Sequence, residues 1–378
     1  MDIRRGCAVT DFSQHHDVVA VATSDAGVVD GRYVVGCDGA NSTVRNLLGV
    51  PMTELGFFYD WLIVDVVLHD GRVFDPLNVQ ICDPARPTTV VSGGPGRRRW
   101  EFMRLEHETL SELEARAWEL LQPWAVRPHN ATVERLAVYT FAARFAARWR
   151  HGRVLLAGDA AHQMPPFTGQ GMCAGIRDAA NLAWKLDLVL TGKAPDGLLD
   201  SYDQERLPSA RQAIEFSIEL GKVICVPDPA EAAARDEAMA PLVGAEPTDA
   251  PPLSGITDGV IDPDSPHAGT LFPQATIDGR RFDDVHGAGW RLVTIDPVPI
   301  DLASATRAWF APIGGSVVNV GGDDGYRHWF TAHDATTALQ RPDFDLYGTA
   351  TSPAGAATLI EHLRTRLASQ PARQGALL

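Results

Sequence analysis

Between Arg153 and Gly175 the chain reads RVLLAGDAAHQMPPFTGQGMCAG, an order of residue types suited to a flat ligand that carries hydroxyls and negative charge. Val154 to Ala157 is an apolar strand, and in α/β sheets ligands sit beyond the carboxyl ends of strands, where Gly158 and Asp159 fall. There the Asp159 carboxylate can accept hydrogen bonds from ligand hydroxyls. The turn at Pro165-Pro166 leads into Gly169, Gln170 and Gly171, a loop whose glycines let backbone approach a ring closely. The helix that follows starts with free N–H groups at Met172 and Cys173, which aim positive charge at an anionic ring. Apolar residues recur along it at helical spacing: Ile176, Ala179, Ala180, Ala183 and Trp184. His162 offers an imidazole beside this loop, either as a general base or as a packed hydrogen-bonding group. The Pro166 carbonyl, in a turn that leaves it without a local partner, can receive a ligand hydroxyl. Those two are the candidate catalytic positions.

A second group lies upstream. Val35-Gly-Cys-Asp-Gly-Ala-Asn-Ser-Thr-Val-Arg45 carries Asp38-Gly39 and, downstream, Arg45. Taken alone, Asp38-Gly39 is equally a plain turn, and Arg45 is equally a surface ion-pairing residue. Arg97, Arg98, Arg99 and Arg104 could hold a ligand carboxylate bidentately. Alternation along a strand sends at most half of such a run to one face.

With both groups in view, the chain resembles the FAD-dependent aromatic hydroxylases, the single-component flavoprotein monooxygenases. Gly158-Asp159 matches their second FAD fingerprint and Asp38-Gly39 their "DG" fingerprint. Ile81-Cys-Asp-Pro-Ala-Arg-Pro-Thr-Thr89 and Arg98-Arg-Trp-Glu-Phe-Met103 look most like the 3-(3-hydroxyphenyl)propionate hydroxylase branch. The likeness covers residues 1 to 228 and, more weakly, 263 to 370. It implies that FAD is held by Asp38, Gly39, Gly158, Asp159, Pro165, Gly169, Gln170, Gly171, Met172 and Cys173. It also implies that Arg45 helps recruit NAD(P)H as co-substrate. The implied reaction reduces the flavin with NAD(P)H, adds O2 at C4a, and hydroxylates a small phenolic substrate through the resulting hydroperoxide. A flavin-dependent halogenase would need a Trp-x-Trp signature, which is absent from the sequence.

One departure accompanies the match. The family's opening strand, GxGxxG turn and helix, which hold the ADP half of FAD, have no counterpart in these residues. The expectation that follows is weak or no FAD binding, negligible hydroxylation and a tendency to aggregate. On that alternative the chain is a truncated remnant, or acts as a structural or interaction protein.

The 378 residues suffice for two or three domains, and a 45% hydrophobic content is ordinary for a globular protein. A net charge of −15 argues against nucleic acid. No apolar run reaches membrane-span length and no signal segment opens the chain, so a cytoplasmic protein without membrane contact is expected. Five cysteines, none in a CxxC, fit reduced thiols, and His15-His16 lacks a third ligand nearby, so no metal site is expected. By resemblance, a homodimer is the favoured assembly.

The expected fold class is α/β with an α+β insert: a Rossmann-like FAD domain lacking its first βαβ unit, an antiparallel substrate sheet and a thioredoxin-like tail. Residues 1–56 form the first part of the FAD domain and 57–150 the substrate domain. Residues 151–226 return to the FAD domain, 227–262 are a linker and 263–378 the tail. Strands are expected at 7–22 and 28–37, with a turn at Ser24 to Gly27. A short helix starts at Asn41 or Ser42. Further strands fall at 62–68, 79–82, 88–92 and 99–103, and a helix near 110–121. The tail has strands at 290–295, 316–320 and 344–347 and a helix at 354–367. Without a CxxC it has no redox role and should fold by itself.

Overall fold

The structure is a computed structural model that describes residues 2–244, 255–277, 279–298 and 300–369. Strands β1 (Val9–His15), β2 (Val18–Thr23) and β3 (Val28–Gly31) form an antiparallel meander. Its second turn is Ser24 to Gly27, closed by the Thr23 N–H donating to the Gly27 carbonyl at 3.0 Å. Strand β4 (Val34–Gly36) then enters the cofactor-side sheet and leads to α1 (Thr43–Leu47). Ser42 is the N-cap of α1, its hydroxyl accepting from the Arg45 N–H, as its residue type favours.

The substrate sheet is built from β5 (Met52–Leu68), β6 (Val79–Ile81), β7 (Thr88–Ser92), β8 (Arg97–Met103), β9 (Ala131–Ala146) and, below, β12. Two short helices, α2 (Leu110–Ala115) and α3 (Ala117–Leu120), stand where one was expected, divided at Arg116. Strand β9 was not legible in the sequence. It is nonetheless a central strand, paired with β5 from Met52↔Ala146 to Leu68↔Ala131. Alternation divides the sheet cleanly. Leu62, Val64, Val66, Trp100 and Phe102 pack outward on Leu113, Ala117 and Leu121, while Trp61, Ile63 and Met103 face the rest of the molecule.

After the hairpin β10 (Arg150–His151) and β11 (Val154–Leu156), β11 lies parallel to β4, giving the order β10-β11-β4. A 3-10 turn at Gly158–Ala160, β12 (His162–Gln163) and a second 3-10 turn at Pro166–Thr168 lead into α4 (Gly171–Leu190) and α5 (Asp200–Ile224). Of the apolar residues noted along α4, Trp184 is buried and Ala180 half-buried, and the others face solvent. Ile176 is 59% exposed, and Ala179 and Ala183 are also exposed. The buried face carries Asp178, Asn181, Leu182, Trp184, Lys185 and Leu188. Polar residues sit inward because each has partners there, which a hydrophobicity pattern cannot register.

The expected linker contains a helix, α6 (Pro229–Met239), capped by Asp228, and its residues 245–254 lie outside the described ones. The tail adds β13 (Thr276–Ile277), β14 (Arg280–Arg281), α7 (Phe282–His286), β15 (Arg291–Thr294), α8 (Ser304–Phe310) and β16 (Ser316–Asn319). It continues with α9 (Asp324–Ala332), β17 (Thr337–Gln340), β18 (Leu346–Ala350) and α10 (Pro353–Ala368). Its sheet runs β16-β15-β17-β18. Trp290, Leu292, Tyr347, Ile360 and Leu363 of the tail share one core cluster with Val154, Leu156, Leu182 and Leu188. An ion network seals the same contact. Arg341 donates to Glu205 (2.6 Å) and Asp343 (2.7 Å), and Lys185 lies 2.8 Å from Glu205, all nearly or fully buried. The tail has a core cluster of its own around Phe272, Phe282 and Phe330 and shares a second one with α4 and α5, which counts against its folding by itself.

Candidate functional site

Three loops meet where β4 and β11 end. In the first, Asp38 spends its carboxylate locally: Oδ2 accepts from the Val44 N–H at 3.0 Å and Oδ1 from the Ser42 hydroxyl. These bonds hold its carboxyl below the ordinary value, although burial works against them. Asp38 thus shapes the Gly39 turn, which has φ +79°, and anchors α1.

Arg45 is 5% exposed, which overturns its reading as a surface ion-pairing residue. It donates to the carbonyls of Ala160 (2.9 Å) and Ala40 (2.9 Å), tying the first loop to the second. Gln163 Nε2 donates to the same Ala40 carbonyl at 2.9 Å.

In the second loop Gly158 has φ +61° and packs on Gly175 of α4. A Cβ added at Gly175 would lie 3.2 Å from the Gly158 Cα, so helix and loop meet backbone to backbone. Asp178 fastens the contact. Its carboxylate accepts from the Gly158 N–H (3.0 Å), His162 Nε2 (2.7 Å) and Arg206 Nε (2.9 Å) with no solvent exposure. Burial pushes its pKa up, but His162 and Arg206 outweigh burial and keep it low. His162, 1% exposed and packed against Trp149 at 5.2 Å, is therefore committed to an internal partner. Of the two readings of His162, this geometry supports the packed hydrogen-bonding group. Asp159 itself is exposed and accessible to a ligand.

The third loop carries the prolines. The Pro165 carbonyl accepts from the Ser217 hydroxyl at 2.6 Å, and the Pro166 carbonyl accepts from the Gly169 N–H at 2.8 Å. Pro166 thus has a local partner after all, and only its second lone pair remains for a substrate hydroxyl. Gly169 has φ +65°. Gln170 precedes α4 but makes no cap bond; its Oε1 accepts from Arg177 Nη2 at 2.7 Å. Gly171, Met172 and Cys173 form the first turn of a 20-residue helix that has no side-chain cap and no acidic residue in that turn. Met172 is 77% exposed. An uncapped helix start beside an open glycine turn and a free carboxylate fits the anionic edge of a flavin and its hydroxylated chain.

Phe167 connects this cradle to the inner face of the substrate sheet. Its ring lies 6.0 Å from Phe57, 5.7 Å from Trp61 and 6.1 Å from Phe141. Trp61 stacks on Phe141 at 5.5 Å, and Ile214 and Ile218 of α5 join the cluster. Gly221 admits the rings: a Cβ there would fall 2.5 Å from Phe57 and 2.9 Å from Phe167. Trp61 Nε1 and Thr168 Oγ1 are buried without a hydrogen-bond partner among the described residues. This aromatic cage, Asp178, Arg206 and Ser217 were missed in the sequence. The aromatics were visible there only as scattered residues, since β9 was not assigned.

The four arginines do not converge on the cage. Arg97 pairs with Glu134, Arg99 with Asp65 and Arg104 with Asp60. Arg98 turns to the outer face, over Phe74 at 4.5 Å.

A parallel strand pair leading to an uncapped helix, beside an antiparallel sheet lined with aromatics, suits a flat anionic ligand next to an aromatic one. The comparisons place it further. A family model described as an FAD binding domain matches residues 1–217. A probable NADH-specific resorcinol 4-hydroxylase of Rhodococcus jostii (strain RHA1) is 39% identical over 402 residues, covering 99% of this chain and 74% of that protein. A 3-(3-hydroxy-phenyl)propionate/3-hydroxycinnamic acid hydroxylase of Mycobacterium sp. (strain JLS) is 34% identical over 384 residues, 91% of this chain and 67% of that one. The solved structure of OxyS anhydrotetracycline hydroxylase from Streptomyces rimosus superposes with a TM-score of 0.72 at 27% identity, over 98% of this chain and 76% of that one. The chain belongs to the FAD-dependent aromatic hydroxylases: it is a flavin-dependent monooxygenase that hydroxylates an aromatic substrate using FAD. Among the described residues no helix is long and apolar enough to cross a membrane.

Proposed function

We propose that the chain hydroxylates a small phenol in the cage around Phe57, Trp61, Phe141 and Phe167, with NAD(P)H as reductant. The position of Phe167 carries this reading. It sits two residues before the cradle glycine Gly169 and in contact with three cage aromatics, so a ring in the cage is next to whatever the cradle holds. Gly169 to Cys173 would take the isoalloxazine, Asp159 the ribityl hydroxyls, and the Gly39 turn the opposite side. Bound there, FAD supplies oxygen activation for insertion into an aromatic C–H. The protein's own part is to orient the ring by aromatic packing, exclude water with a dry wall, and place a donor and an acceptor near the phenol. Trp61 Nε1 and the Thr168 hydroxyl are buried donors on that wall, and the Pro166 carbonyl keeps one lone pair for the phenolic proton.

The five-part division at 56, 150, 226 and 262 is retained as a proposal, and so is the thioredoxin-like tail. The tail topology supports the latter: a parallel β15-α8-β16 unit, then the antiparallel strands β17 and β18, then α10. No cysteine lies beyond Cys225, so a packing role fits it.

The test is FAD-dependent NADH oxidation by the purified chain, with product analysis. The reading predicts oxidation stimulated by phenols, with a hydroxylated product. Absent stimulation, or a phenol recovered unhydroxylated, would overturn this reading of the cage.

A further inference from the structure

Outside the cage rings, the most unusual group on the inner face of the substrate sheet is Glu101. Side chains alternate along β8: Trp100 and Phe102 face outward into the helix-covered core, while Met103 belongs to the cage cluster. Glu101 shares the Met103 face and is the next residue along it. The register pairs it with Ile63 of β5, also a cage residue, and with Thr89 of β7. Its relative exposure is 5%.

Among the described residues this carboxyl has one loose ionic partner, Arg99, and no hydrogen bond. Arg99 forks onto Asp65 at 2.6 and 3.0 Å and comes no nearer than 3.9 Å to Glu101. The Thr89 hydroxyl donates to Gln80. A buried carboxyl without a hydrogen bond is costly and is retained where something else supplies the donor.

We propose that Glu101 is a specificity-determining residue beside the arene site proposed above, accepting a hydrogen bond from a second ring hydroxyl of the substrate. It also disfavours arenes that carry a carboxylate. The assignment rests on the proposed phenol-hydroxylating function and narrows its substrate class to neutral di- or polyhydroxylated arenes. The arginines support the second half, since Arg97, Arg99 and Arg104 are paired with carboxylates and Arg98 lies on the opposite face. Burial pushes the pKa of Glu101 up to about 7, against the pull of Arg99 and with the help of Asp65, as fits an acid lacking a good partner.

The test is equilibrium binding to the full chain in the presence of FAD, read by tryptophan fluorescence, since Trp61 lies in the cage. The probes are 1,3-dihydroxybenzene, 3-methylphenol and 3-(3-hydroxyphenyl)propionate, applied to the wild type, Glu101→Gln and Glu101→Leu, with melting curves confirming that the variants fold. Glu101→Leu is expected to weaken the diol about tenfold or more, as loss of a charged hydrogen bond does. Methylphenol binding should barely change, and the propionate should bind both variants more tightly than the wild type. Equal losses for diol and monophenol, or an unchanged diol, would overturn the assignment while leaving the phenol site intact. Failure of the wild type to bind any of the three would overturn the parent reading and this one with it. If Glu101→Leu does not fold, Glu101→Gln decides through the propionate, and unaltered propionate binding would overturn the assignment.

Discussion

Inside the dry contact between α4 and the Gly158 loop, one carboxylate accepts from a backbone N–H, an imidazole and a guanidinium. Removing Asp178 would leave Arg206 buried beside an empty acceptor position, a change that typically costs about 3–5 kcal/mol. Asp178→Ala should therefore lower the melting temperature sharply and release the Gly158-Asp159 turn. An unchanged melting curve would show that the network does not hold the loop. Glu108 yields a pH prediction. Arg86 donates to it at 2.7 Å and, with the Leu105 N–H and Arg116, holds its pKa near about 2, below the ordinary 4.5. Because the folded value is the lower one, the stability it contributes is complete above about 4.5 and is lost as pH falls towards about 2. Glu108→Gln should flatten the acid limb of a stability-versus-pH curve in that window, and an identical limb would contradict it. At this scale the fingerprints were legible because they are short and local. The partners of Arg45 and His162 were not, because Arg45 meets Ala160 across 115 residues and His162 meets Asp178 across 16.

Elements were read well where residue type and period agreed. The Ser42 cap, the Ser24–Gly27 turn and β6, β7 and β8 follow their signals closely. Strand β9 went unread because ATVERLAVYTFAARFA contains five alanines, poor strand formers, and its pairing with β5 supplies what propensity lacks. Helix α6 went unread because Pro and acidic residues look like a linker, whereas Pro229 and Glu231 sit in its first turn, where both are favoured. The glycines of α4 and α5 make an element-scale prediction. Gly221→Val places side-chain atoms where Phe57 and Phe167 already are, which should cost about 1–3 kcal/mol or more by overpacking. Arene binding should fall with it, measured by the same fluorescence titration, while FAD affinity changes little. Full arene affinity in that variant would argue against the cage as the substrate site.

Across the whole molecule, cofactor-side and tail residues share one hydrophobic cluster, sealed by the buried Lys185–Glu205–Arg341–Asp343 network. Expressing residues 263–378 alone exposes Trp290 and Tyr347 and takes Glu205 away from Arg341, so that fragment should be unfolded or aggregated by circular dichroism. A cooperative melt from it would restore the independent tail. The open side of the molecule is the β4 edge, where Val35 is 36% exposed, together with Met172 and Ile176 of α4. The cradle of the Gly39 turn, Gly158-Asp159 and Gly169 to Cys173 is the central claim. Hydrogen–deuterium exchange of the full chain with and without FAD tests it most directly. The account predicts slowed exchange at Gly158 to Ala161, Gly169 to Ala174 and Gly39 to Ser42, and less of it in Asp159→Ala. Protection confined to other segments, or none in these three when FAD is bound, would contradict it.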